Sequence, residues 1–214
     1  VFDSMDALDS FAHAPAELKD REKELLRIAD VVFTGGPSLF KRLKDKHANA
    51  HAFSSSVDVN HFMQAQDKSL DKNPSTIPVG TRIGYTGVID ERLDLELLRQ
   101  VATLRPQWQF VMVGPVVKID PATLPQLPNI HYLGQQAYQD LPAFIAGWDI
   151  CMQPFAKNEA TRYISPTKTL EYMAANKPTI STSITDVVEP YGDIVFIADT
   201  AEQFIEQCES ILQL

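Results

Sequence analysis

The chain has 214 residues, long for one compact domain and short for two full ones. Hydrophobic residues make up 44% of it, enough for a real core, and a formal charge of −9 creates no broad field that would attract nucleic acid or an anionic membrane. No apolar run approaches the length of a bilayer span, the five histidines show no metal-ligand spacing, and Cys151 and Cys208 lie in apolar stretches with no CxxC partner, which points to a reduced, cytoplasmic compartment.

The chain opens at Val1-Phe2-Asp3 with neither an initiator methionine nor a polar leader, so it is read as part of a larger protein. Residues 17–29 set Leu18, Leu25, Leu26 and Ile28 among dense charges, the pattern of an amphipathic helix. Val31-Val32-Phe33-Thr34, ended by Gly35-Gly36, predicts a strand and turn. Pro37 then opens a helix whose buried side carries Leu39, Phe40 and Leu43. A further strand is expected over 49–53, followed by loop. Residues 61–80, rich in Asp, Lys, Asn, Ser and Pro, read as a linker or long surface loop.

From residue 81 the texture becomes regular. Strands are expected over 82–86, 109–113, 129–133, 149–153, 179–181 and 193–198. Helices are expected over 93–104, 138–147, 166–175 and 200–212. Such alternation predicts an α/β fold, a Rossmann-like parallel sheet with helices on both faces, preceded by a partial αβ unit. Sheets of this kind bind ligands beyond the carboxyl ends of their strands. The organisation is therefore read as 1–60, a linker at 61–80, and a sheet domain over 81–214.

One segment carries chemistry: the stretch from Asn158 through Ser165-Pro166-Thr167-Lys168-Thr169-Leu170-Glu171 to Lys177-Pro178. It leaves the carboxyl end of an expected strand at Gln153. Ser165 is suited to cap a helix and Pro166 to its first position, while Asn176 suits a left-handed cap and Pro178 stops the helix. The helix start would then aim free backbone N–H groups at a cleft, a ready phosphate site, with Lys168 adding charge one turn in. Thr167, Lys168 and Glu171 share a helix face. A carboxylate beside a phosphate site suits ribose hydroxyls, so the segment reads as nucleotide-binding.

Ser-Pro-Thr-Lys-Thr-Leu-Glu-Tyr-Met-Ala-Ala-Asn-Lys-Pro over 165–178 resembles the donor-site helix of bacterial GT-B glycosyltransferases of the retaining family 4 group. Further likenesses follow in order. Ala29-Asp30-Val31-Val32 resembles the end of the amino-terminal domain, and Ser56-Val57-Asp58 with Phe62 resembles the interdomain passage. Gly84-Tyr85-Thr86-Gly87, Val113-Gly114-Pro115 and Leu133-Gly134 resemble strand ends of the donor domain. The resemblance implies transfer of a sugar from a nucleotide diphosphate, UDP ahead of GDP, to a glycan or lipid-linked acceptor in polysaccharide biosynthesis. It implies no metal and no cofactor besides the donor. It also implies a cytoplasmic enzyme, peripheral at the inner membrane, whose acceptor site and any base lie on a missing amino-terminal domain.

By position, the resemblance assigns Glu171 to the ribose, Gly134 and Gln135 to the base, and Arg92, which follows the nucleotide-sugar-binding Gly87 loop, to the diphosphate. The family's other glutamate falls at Tyr163, and Glu159 or Arg162 on the same loop is read as its substitute. Plainer readings stand beside these. Lys168 and Glu171, or Glu159 and Arg162, could be surface pairs of little energetic weight. Arg92 could be a solvated helix-start residue, and Tyr85, Trp108 and Trp148 core. Two functional rivals stay open: a nucleotide-sugar epimerase of the same architecture and a non-catalytic nucleotide-binding module. A dinucleotide oxidoreductase is excluded, since no Gly-x-Gly-x-x-Gly turn occurs.

Overall fold

The computed structural model describes residues 1–12 and 14–213. Its first unit is a parallel sheet of β1 (Phe2–Ser4), β2 (Val32–Thr34) and β3 (Ala50–Ala52), in that order, with α1 (Leu18–Ile28) and α2 (Pro37–Leu43) as crossovers. Pro37 opens α2 where its missing N–H costs nothing. The core here is small: Ala7, Leu26, Val32, Leu39 and Leu43 are buried. Of the apolar side of α1 only Leu26 is covered, while Leu25 and Ile28 stay exposed.

The polar stretch at 61–80 is mostly exposed but carries short helical turns and a few buried anchors. Asp58 caps α3 (Val59–Met63) by accepting the His61 N–H, and short 3-10 turns follow. Phe62, Ala65 and Ile77 are buried against Val111, Phe144 and Trp148 of the second unit. Arg82 pairs with Asp71 at 2.7 Å, and the Trp148 indole N–H donates to Asn73 Oδ1 at 3.1 Å. Three anchors this irregularly spaced make no period that a sequence scan would register.

The second unit holds β4 (Arg82–Thr86), α4 (Leu95–Leu104), β5 (Gln109–Val113), β6 (Ile130–Gly134), α5 (Leu141–Ala146) and β7 (Ile150–Gln153). It continues through α6 (Thr167–Ala174), β8 (Thr179–Ser181), α7 (Thr185–Tyr191), β9 (Phe196–Ile197) and α8 (Ala201–Ile211). Its strands are parallel in the order β6-β5-β4-β7-β8-β9. β5 is buried at every position, and its alternation sorts side chains to two faces. Phe110 and Met112 join the core with α4 and α8, and Val111 and Val113 join Ile145 and Tyr172 on the other side. The fold is thus the expected α/β sheet covered on both faces.

Local differences have local causes. Ser165 is not a helix cap. Pro166 is extended, with φ −71° and ψ 119°, so it occupies the cap position itself and α6 starts at Thr167. The helix expected over 138–147 begins as a 3-10 turn at Tyr138–Asp140. α7 escaped prediction because Pro190 lies inside it, in the last turn. The end of α6 matches expectation: Asn176 takes φ +53° just past the helix.

Candidate functional site

The strand order of the second sheet reverses between β4 and β7, because β5 and β6 are added on one side and β8 and β9 on the other. The carboxyl ends of β4 and β7 therefore border a crevice. Two glycines let the backbone close in there. Gly87 has φ +142°, and a Cβ on it would lie 2.8 Å from Lys168 Cε and 2.7 Å from the Tyr85 hydroxyl. Gly114 has φ +149°, and a Cβ on it would lie 1.8 Å from the Gly87 carbonyl oxygen. The Gly114 N–H donates to the Gly134 carbonyl at 2.9 Å, which brings the end of β6 alongside. No side-chain-bearing residue fits the first two positions without strain.

Helix α6 is locked over this crevice from its buried side. Thr86 N–H donates to the Tyr172 hydroxyl at 2.8 Å, and Thr169 Oγ1 donates to Gln153 Oε1 at 3.1 Å. Both partners end sheet strands, so the helix start is fixed relative to β4 and β7. Lys168 and Glu171 are then left at the crevice, 3.9 Å apart, with side chains only 27% and 13% exposed. That burial separates them from an ordinary solvated pair. Glu171 Oε2 is buried and, among the described residues, has no hydrogen-bond partner. A carboxylate held in this way has spare acceptor capacity for hydroxyl groups.

The two sheets face each other carboxyl end to carboxyl end across a cavity of about 270 Å³. Tyr85, Arg92, Phe155, Ser165, Thr167 and Lys168 line it from the second unit, and Met5, Asp6, Gly35 and Ser55 from the first. Arg92 makes a bidentate pair with Asp90, through Nε at 3.0 Å and Nη2 at 2.8 Å. Burial opposes the guanidinium charge, but the hydrogen bonds to Asp90 outweigh it and hold its pKa above the ordinary value. Burial pushes the Asp6 carboxyl up, against the pull of Arg92. Burial likewise raises the Tyr85 phenol, so it stays a neutral donor to the Val88 carbonyl at 3.0 Å. A smaller, mostly apolar depression of about 210 Å³ between β1 and α1 adjoins this cavity and shares Met5 and Asp6 with it. Among the described residues, no group of three or more His, Cys, Asp or Glu side chains is placed to hold a metal ion.

The structure thus gathers Arg92, Ser165, Thr167 and Lys168 around one cavity, with Gly87 beside Lys168 and Glu171 one turn along α6. Gly134 and Gln135 stand at the carboxyl end of β6, outside that cavity; Gly134 has φ +67° and open space around it, and Gln135 is exposed. Glu159 and Arg162 are not brought in. They form an exposed pair at 3.6 Å, their side chains 72% and 61% accessible. Tyr163 turns toward the first unit, with the Arg42 and Arg162 guanidinium carbons 5.2 and 5.3 Å from its ring centre. Sequence reading missed Asp6 and Ser55, which reach the cavity from another sheet, and the role of Tyr172, which lies within the 165–178 segment but on its buried side.

Residues 80–214, more than half of the chain, match the family model of the Glycosyl transferases group 1. The chain belongs to this glycosyltransferase family. It is 25% identical over 208 residues to the candidate teichuronic acid biosynthesis glycosyltransferase TuaH of Bacillus subtilis (strain 168), covering 91% of this chain and 51% of TuaH. Anabaena HepE, solved with UDP and glucose, superposes with a TM-score of 0.71 at 15% identity, over 99% of this chain and 62% of HepE. WaaG, a glycosyltransferase involved in lipopolysaccharide biosynthesis, gives a TM-score of 0.57 at 14% identity, over 100% of this chain and 68% of WaaG. These likenesses show the GT-B fold. The chain spans about half the length of the curated relative it matches.

Proposed function

We propose that this chain supplies the donor-nucleotide site of a glycosyltransferase, moving a sugar from a UDP-sugar to a hydroxyl of a glycan or lipid-linked acceptor. The observation that carries the reading is the convergence at the sheet's switch point of Lys168, the Gly87 loop and Glu171, whose buried Oε2 has no hydrogen-bond partner among the described residues. Backbone N–H groups at the start of α6, with Lys168 and Arg92, would neutralise charge developing on the departing diphosphate. Glu171 would accept ribose hydroxyls, and Gly134 and Gln135 would border the base. The HepE complexes with UDP and glucose and with UDP-glucose support UDP as the nucleotide. Membership of a transferase family favours transfer over the epimerase and binding-module readings.

In this reading residues 1–60 close an acceptor domain, 61–80 pass between domains, and 81–214 form the donor domain. Most of the acceptor surface would come from outside this chain. Placement in the retaining family 4 group rests on the likeness of 165–178 together with those at 29–32, 56–58, 84–87, 113–115 and 133–134. A cytoplasmic location at the inner membrane face would bring lipid-linked acceptors within reach. Among the described residues, no helix is long and apolar enough to cross a membrane.

Titration calorimetry with UDP, with and without a chelator, tests the reading. UDP is expected to bind equally in both conditions. Binding that disappears on chelation would overturn the metal-free site, and failure of every nucleoside diphosphate to bind would overturn the donor site itself.

A further inference from the structure

The cavity between the sheets carries opposite charge on its two walls. Lys168 and Arg92 stand on the wall built by the second unit, and Asp6, two residues past the end of β1, stands on the other. Among the described residues lining the cavity, Asp6 is the one carboxylate. Arg92 pairs with Asp90 and Lys168 lies nearest Glu171, and among the described residues neither cation forms a salt bridge with Asp6. Neither Glu159 nor Arg162 lines this cavity, and Tyr163 is engaged by Arg42. At about 270 Å³ the space lies just below the range of about 300–1,000 Å³ usual for small-molecule clefts, which suits one sugar ring beside its phosphates.

We propose that Asp6 is the carboxylate that grips the hydroxyls of the transferred sugar, from the sheet opposite the diphosphate. The proposal rests on the donor-site reading above. A carboxylate repels phosphate, so Asp6 does not belong to the diphosphate end of the ligand. It is suited to adjacent sugar hydroxyls, which donate charge-assisted hydrogen bonds to its two oxygens. Binding energy placed there orients the ring over the leaving group and discriminates between sugars. The sugar is then held between two sheets, with its phosphates on one and its hydroxyls on the other. Asp6 is thereby a specificity-determining residue contributed by the first unit.

The test compares UDP with UDP-glucose, UDP-galactose and UDP-N-acetylglucosamine by calorimetry, on the full-length protein and its Asp6→Asn and Asp6→Glu variants. The wild type is expected to bind at least one UDP-sugar about ten-fold more tightly than UDP. Asp6→Asn should lose most of that preference while UDP affinity stays within about two-fold, and Asp6→Glu should recover part of it. Unchanged UDP affinity also reports that the cleft is intact in each variant. Equal weakening of UDP and UDP-sugar in both variants would make Asp6 structural and overturn the proposal. So would a wild type with no preference for any sugar, or an Asp6→Asn variant that keeps it. A wild type that binds neither UDP nor any UDP-sugar would instead overturn the donor site on which the proposal stands.

Discussion

The Tyr172 hydroxyl accepts the backbone N–H of Thr86 at 2.8 Å, tying the middle of α6 to the last residue of β4. Tyr172 is fully buried, so this bond is shielded from water and fixes where Lys168 meets Gly87. Tyr172→Phe leaves the Thr86 N–H without its partner. It should cost about 1–3 kcal/mol of stability, read by urea denaturation. UDP affinity should fall as well, although Tyr172 does not line the cavity. Unchanged stability would mean the bond contributes nothing to the placement of α6.

Lys168→Met removes the charge aimed at the diphosphate and keeps the stem that packs near Gly87. Its penalty should be large for UDP and small for uridine, which has no phosphates to lose. Equal weakening of both ligands would refute the phosphate role.

Glu171→Gln keeps size and shape but removes the charge that makes the carboxylate a strong acceptor. UDP binding should weaken by about 1.5–3 kcal/mol. Because Glu171 Oε2 is buried without a described partner, the unliganded variant should melt no lower than the wild type. A lower melting temperature with unaltered UDP affinity would make Glu171 a structural residue.

Gly114→Ala puts a Cβ 1.8 Å from the Gly87 carbonyl oxygen, at a backbone φ of +149°. The Gly87 loop must move away, since neither group is a flexible side chain. Destabilisation should exceed the roughly 0.5–3 kcal/mol of ordinary substitutions, and UDP binding should be lost with it. Chemical denaturation and calorimetry on the same preparation decide this; a fully stable variant would contradict the close approach.

Asp186, 2% exposed at the start of α7, accepts the Ser38 N–H at 2.9 Å and so joins the two units. Burial raises its carboxyl above the ordinary value, with the Ser38 hydrogen bond opposing. A group whose pKa is raised on folding stabilises fully below its unfolded value, and that contribution is lost as pH rises through the folded value. Asp186→Asn keeps an acceptor for Ser38 and carries no charge. The variant should therefore be more stable than the wild type at pH 7, with the difference shrinking as pH falls toward the ordinary carboxylate range. Denaturation at both pH values checks it, and a difference that grows on acidification would reverse the sign.

Local sequence signals suffice for the second sheet and for the segment that bears its chemistry. Gln109–Val113 could be read as a buried strand because a sheet covered on both faces needs an unbroken apolar run. Asn176 and Pro178 marked the end of α6, because a left-handed cap and a proline act on the local backbone whatever packs above. Lys168 and Glu171 could be placed on one helix face by spacing alone. Tertiary structure decided which neighbours they met. Ser165 looked like a cap until the extended Pro166 moved the helix start. Glu159 and Arg162 lay close in sequence yet stayed in solvent, while Asp6 crossed from another sheet into the cavity. Local signals fix elements because their energies act within a few residues. The composition of a cleft between two sheets depends on how carboxyl ends from distant stretches are packed together, and no periodicity encodes that.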